Sequence, residues 1–279
     1  MGLETRVLLD GLAFGESPRW HDGRLWFSDM HAYQVMTVDL SGRTETIVRV
    51  PGLPSGLGWL PDGRLLVVSM TDRRLLRLES GGLVEVADLS KLASYHCNDM
   101  VVDRQGRAYI GHFGFNYYSQ PFAPAEVILV TPDGSARVVA EQMAFPNGSI
   151  ITPDGRTLIV AETFGGCLTA FDIQPDGSLA GRRVWALTSP AIPDGICLDA
   201  EGAVWVSSPT GEVLRIQEGG QVADRISLSR PAFACMLGGA DLRTLFVMTA
   251  KSDNPDELRA EPSGRVEIVE VDVPGAGLP

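Results

Sequence analysis

No stretch of this chain approaches the roughly 18 consecutive apolar residues that a membrane span requires, which argues against a membrane partner. Nor does any long segment repeat apolar residues at i, i+3, i+4 and i+7, so the helical fold classes are disfavoured. Basic charge is scarce: 35 acidic residues face 23 lysines and arginines, a formal net charge of −12. A surface of that sign repels phosphate backbones, and no basic cluster or aromatic ladder counters it, so no nucleic-acid partner is expected. The four cysteines, Cys97, Cys167, Cys197 and Cys235, form no C-x-x-C pair and read as reduced, partly buried thiols. The start, MGLETRVLLDG, lacks a basic segment followed by an apolar one, so no secretory leader is expected and the assigned compartment is the cytoplasm. Missing too are a G-x-S-x-G elbow, an H-E-x-x-H pair and a G-K-[ST] phosphate loop. Four histidines without ligand-like spacing make a His-built zinc site improbable.

What is present is one short unit written six times. The copies begin at ESPRWHDGRLWFSD, SGLGWLPDGRLLVVS and NDMVVDRQGRAYIG, and continue as NGSIITPDGRTLIVAE, DGICLDAEGAVWVSS and ACMLGGADLRTLFVM. Each reads as an apolar strand, a tight polar turn and a second apolar strand. With the turn glycine as a ruler, the marks fall at Gly23, Gly63, Gly106, Gly155 and Gly202, with Leu242 in a degenerate sixth turn. A period in the forties filled with β pattern is that of propeller blades, each of which needs about four strands. Pairs such as QVMTVDL with TETIVRV and EVILVTP with ARVVAEQ supply the other two strands per blade. Helical signals are confined to possible turns at Ser90–Ser94 and Asp256–Ala260. The last strand, GRVEIVEVDV, can lie beside the early TRVLLD segment and close the ring, removing a sheet edge. The expected fold is an all-β, six-bladed β-propeller occupying residues 1–279 as one domain.

The same ruler aligns oxygen-bearing side chains. Eight residues before the turn mark stand Ser55, Asn98, Asn147 and Asp194, and Ala234 takes that place in the sixth unit. Glu16 lies seven residues before Gly23, one short of register. In a propeller the first strand of each blade lines the central channel, so these positions meet at one mouth. Glu16, Asn98, Asn147 and Asp194 make a hard-oxygen set suited to Ca²⁺, Mg²⁺ or Mn²⁺. Asn147-Gly148 and Asp194-Gly195 are also strong turn dipeptides, and a purely structural turn is the competing reading of each. They nevertheless precede the strands, whereas the Pro-Asp-Gly turns at Asp62 and Asp154 lie between them. The second strands end near the same mouth, at Asp29, His112, Glu162 and Ser208. Beyond His112 runs FGFNYYSQPFAP, the most aromatic stretch of the chain, either a packed loop or a pocket wall and lid. His112, Phe113 and Tyr117 are its candidate substrate contacts, together with His96.

E-S-P-R-W at Glu16, N-D at Asn98, P-N-G before Asp154-Gly155 and P-D-G-I at Pro193 together resemble the regucalcin/gluconolactonase family, almost from end to end. The resemblance implies a six-bladed propeller that hydrolyses lactones with one divalent metal. Its metal ligands map onto Glu16, Asn147 and Asp194, and its substrate-contacting Asn onto Asn98. Sugar-lactone members commonly carry an Arg two residues before that Asn, where this chain has His96. The GHFGFNYY segment also replaces a smaller, more polar one, and both departures favour a less polar lactone or ester over an aldonolactone.

The implied chemistry has the metal, Ca²⁺ first and Mg²⁺, Mn²⁺, Zn²⁺ or Fe²⁺ otherwise, polarise the carbonyl. Asp194 then acts as general base on the attacking water. Organophosphate hydrolysis and non-catalytic binding of calcium or a metabolite are the alternative functions, because propellers host many. The small-molecule lactone or ester is the expected partner.

Overall fold

Alternating apolar residues between left-handed turns give every repeat the same antiparallel meander. The computed structural model describes residues 4–277. Its strands form six four-stranded sheets, and each innermost strand packs against the next around the full circle. The innermost strands are Gly15–His21, Pro54–Trp59, Cys97–Val102, Pro146–Ile151, Ile196–Leu198 and Ala232–Gly238. The chain is therefore the all-β, six-bladed propeller that the repeat implies.

Burial falls outward along each blade. Pro146–Ile151 and Ala232–Gly238 are buried throughout, whereas the outermost strands Thr44–Arg49 and Val222–Ser227 are largely exposed. Trp205, Phe246 and Leu57, each almost fully buried between sheets, stabilise the ring by about 1.5–3 kcal/mol apiece through burial. The turn marks behave alike whatever their side chain: Gly202 has φ 81° and Leu242 φ 60°. Leucine accepts there a conformation that glycine adopts without steric cost.

The sixth sheet closes the ring with both ends of the chain. Its order runs Ala232–Gly238, Thr244–Thr249, Gly264–Glu270 and then Arg6–Leu12, with Arg6 opposite Ile268 and Leu12 opposite Gly264. The one α-helix among the described residues, Pro255–Ala260, lies in a long connection of that blade. Asn254 caps it by accepting from the Asp256 N–H, and the helix packs on a short 3₁₀ turn at Met30–Ala32. The Ser90–Ser94 segment makes a turn, with Ala93 N–H bonded to Leu89 O. All four cysteines are unbridged and buried. No helix among the described residues is long and apolar enough to cross a membrane.

Candidate functional site

Glu16, Asn98 and Asn147 each occupy the second position of an innermost strand, and Asp194 stands just ahead of Ile196–Leu198. The first three strands slip register immediately afterwards, between Glu16 and Arg19, Cys97 and Met100, and Pro146 and Ser149. Such bulges bend a strand and re-aim a side chain, here at the end that faces the channel mouth. Asn147-Gly148 belongs to a strand, so the turn reading does not apply to it. Gly148 does not need a left-handed backbone. A Cβ there would stand 2.6 Å from Ile196 N and 2.7 Å from Asp194 O, so glycine lets two blades approach. Gly195 does the same against Ala234, whose Cα would lie 2.6 Å from an added Cβ.

The four oxygen-bearing residues line one cavity of ≈ 840 Å³. Burial is the largest cause of raised proton affinity at both acids. It pushes Glu16 up to about 8, helped by the Asp99 charge and opposed by the Ser17 N–H and Arg19. Asp194 is raised well above the carboxylate range by burial and then by Glu16. Its Oδ1 is buried with no hydrogen-bond partner. The amides have their donor ends engaged: Asn147 Nδ2 donates to Thr163 Oγ1 at 3.2 Å, and Asn98 Nδ2 to Pro146 O at 3.2 Å. Among the described residues no three His, Cys, Asp or Glu side chains cluster as metal ligands. The convergent donors are two acids and two amides. Half-buried Glu16 and buried Asp194, whose proton affinity Glu16 raises and whose Oδ1 is orphaned, fit a hard divalent ion, and Glu16, Asn147 and Asp194 could hold it.

His96, Phe113 and Tyr117 line the same cavity. His112 does not. Its side chain is fully buried within the third blade, with Nε2 2.7 Å from Glu126 Oε2 and Nδ1 accepting from the Gly114 N–H. Strand alternation is the reason: Phe113, its neighbour, faces the cavity, so His112 faces inward. Asp29, Glu162 and Ser208 also lie behind the wall. Asp29 accepts from the Phe14 N–H at 2.9 Å, Glu162 from the Ala144 N–H at 2.6 Å, and Ser208 Oγ from the Ile192 N–H at 3.0 Å. These buried oxygens grip the backbone that leads into an innermost strand, and so position the wall.

Two places ahead of the oxygen positions stand Phe14, Leu53, His96, Phe145 and Ile192, and all five line the cavity; of these, sequence reasoning singled out His96 and passed over the other four. The repeat ruler could have found them. Phe145 has φ 64°, a strained conformation for an aromatic residue, and stacks on Phe113 at 4.4 Å between centroids. Tyr117 packs against both rings, and Tyr118 Oη donates to Asp253 O at 3.1 Å, joining the aromatic loop to the helix-bearing connection. The aromatic loop is thus both packed and cavity-lining. His31, in the Met30–Ala32 turn, also faces the cavity and has an unpartnered, buried Nδ1.

This arrangement has known relatives. The chain is 28% identical to a 6-deoxy-6-sulfogluconolactonase of Pseudomonas putida over 276 residues, 95% of this chain and 94% of that one. It superposes on a luciferin-regenerating enzyme with a TM-score of 0.84 at 19% identity, covering 99% of this chain and 98% of the other. A calcium-binding protein, regucalcin, from Agrobacterium tumefaciens gives a TM-score of 0.83 at 22% identity, covering 100% and 97%. These two structural likenesses speak for the fold. The family model described as SMP-30/Gluconolactonase/LRE-like region matches residues 14–251, and the chain belongs to that family.

Proposed function

We propose that this chain is a divalent-metal-dependent lactonase, with calcium as the expected ion. One observation carries the reading: two carboxylates, half-buried Glu16 and buried Asp194, line the same cavity, and Asp194 Oδ1 accepts no hydrogen bond. Membership of a gluconolactonase-like family and the sulfogluconolactonase relative support lactone hydrolysis. The calcium-binding neighbour agrees with the chemistry of the donor set.

When bound, a divalent ion supplies Lewis acidity toward a carbonyl oxygen and neutralises the two acids. Glu16 and Asn147 hold and orient, one by charge and one by its amide oxygen. Asp194 does more. Its carboxylate takes a proton from water as the water oxygen bonds to the lactone carbonyl carbon. Collapse then breaks the ring C–O bond, and the proton passes to the departing alkoxide, leaving a hydroxy acid. Asn98, fixed by Pro146 O, orients the lactone, while the apolar wall excludes bulk water from the reacting carbonyl.

The test is hydrolysis of small lactones by metal-stripped protein with single divalent ions restored. Turnover that depends on the ion, and disappears in Asp194→Ala, is the expected result. Equal turnover with and without metal, or metal binding with no lactone hydrolysed, would overturn the reading.

A further inference from the structure

The cavity joins the oxygen set of Glu16, Asn98, Asn147 and Asp194 to a largely apolar wall, in which His31, His96 and Thr163 are among the other polar side chains, and no lysine or arginine lines it. An anionic substrate would find no basic side chain to pair with and would meet Asp253 at the rim, in a protein of net charge −12. A polyol would fare little better, because hydroxyls buried against phenyl rings lose water without gaining partners.

The apolar part continues outside. Phe164 is 54% exposed, Leu187 67% and Ile192 42%, yet all three line the cavity. They come from one side: Phe164 from the turn after Thr157–Glu162, Leu187 from the end of the fourth blade's outermost strand, Leu179–Leu187, and Ile192 from the connection that follows it into the fifth blade. Phe164 also packs on Phe145 at 5.3 Å between centroids, so the inner wall and the outer track form one aromatic surface. Exposed apolar groups that continue a pocket mark where a ligand leaves it.

Resting on the lactonase reading, we infer that the substrate is an uncharged lactone bearing an extended apolar substituent. Its ring sits over the oxygen end, and its substituent leaves between the fourth and fifth blades, gripped by Phe164, Leu187 and Ile192. These three are specificity-determining residues that take no part in the chemistry.

The experiment measures kcat/KM of the calcium-loaded protein on γ-lactones from γ-butyrolactone to γ-decanolactone, with gluconolactone beside them. The expected rise is roughly two- to fourfold for each methylene that enters the track, with gluconolactone the poorer substrate. Phe164→Ser and Ile192→Ser should flatten that rise, lowering the γ-decanolactone to γ-butyrolactone ratio about tenfold or more. A flat series in the parent protein, or a preference for gluconolactone, overturns the inference and leaves the lactonase reading standing. If no lactone is hydrolysed, the lactonase reading fails, and calorimetric binding of γ-decanolactam against γ-butyrolactam decides the ligand class. Tighter binding of γ-decanolactam supports an apolar ligand, and equal affinities overturn it.

Discussion

Arg19 of the first blade reaches Asp99 of the third at 2.7 Å, and both side chains are almost completely buried. The guanidinium also donates to Met100 O at 2.7 Å and Pro18 O at 2.9 Å, and Ser17 Oγ donates to the same Asp99 oxygen. Arg19 stands three residues beyond Glu16, and Asp99 is next to Asn98, so the pair ties two innermost strands together beside the oxygen set. Breaking one partner of such a pair leaves a buried charge with nothing to neutralise it. Arg19→Met should therefore lower stability by about 3–5 kcal/mol, read from urea unfolding. Removing both charges, in Arg19→Met with Asp99→Leu, should restore part of that loss. A single variant within about 1 kcal/mol of the parent would show that the pair does not brace the mouth.

Asp194 is predicted to have opposite effects on stability and on activity. In the metal-free protein burial and the neighbouring Glu16 disfavour the charged form of Asp194, so Asp194→Asn removes that cost while keeping the shape. The metal-free variant should unfold at a denaturant concentration equal to or above that of the parent, by about 1–3 kcal/mol in the favourable case. Added calcium should raise the parent's melting temperature much more than the variant's. Turnover should fall by at least about a hundredfold, as expected when a general base is lost. A variant that is both less stable without metal and equally stabilised by calcium would contradict this account of the site.

Gly148 offers a geometric test. A methyl group there would press on Ile196 N and Asp194 O, both backbone atoms that cannot swing aside. Gly148→Ala should cost about 1–3 kcal/mol in stability by forcing the fourth and fifth blades apart. It should weaken calcium binding too, because the displaced backbone carries Asp194. Calorimetric titration with calcium would check this, and unchanged affinity would mean that the approach of the two blades does not set the ligand geometry.

How far these features could be read beforehand depended on whether a residue's role follows from its type or only from its direction. The turn marks were legible because a left-handed turn leaves a chemical signature, glycine, and Leu242 was found by spacing alone with φ 60°. Glu16, Asn98, Asn147 and Asp194 were legible as residues of one cavity because oxygen-bearing side chains are distinctive, three of them share one register and Glu16 lies one residue short of it. His112 was assigned to the cavity from its place at the end of a second strand, but its side chain turns into the blade toward Glu126. Most of the residues two places earlier went unread for the converse reason. Phe14, Leu53, Phe145 and Ile192 share a position with His96, which was singled out, but share no chemistry, and become a wall only when six blades stand side by side. Phe164 sits in a turn and Leu187 at the very end of an outermost strand, where no periodicity announces a role.

His31 supplies the pH dependence. It is buried in the cavity wall with an unpartnered Nδ1, and its pKa is depressed to about 4, first by burial and then by Arg259, with Asp253 opposing. The unfolded chain takes up that proton near the ordinary histidine value of about 6.5. Above that pH neither state is protonated, and the residue contributes no slope. As pH falls from about 6.5 toward about 4, the unfolded state gains a proton that the fold refuses, so stability declines. Between pH 7 and pH 5 the decline due to this residue should be about 1–2 kcal/mol, allowing for its remaining contact with solvent. Urea midpoints of the parent and of His31→Phe at both pH values isolate the effect, since other groups titrate in both proteins. The parent should lose more stability than the variant, and parallel losses would mean that His31 accepts its proton within the folded wall.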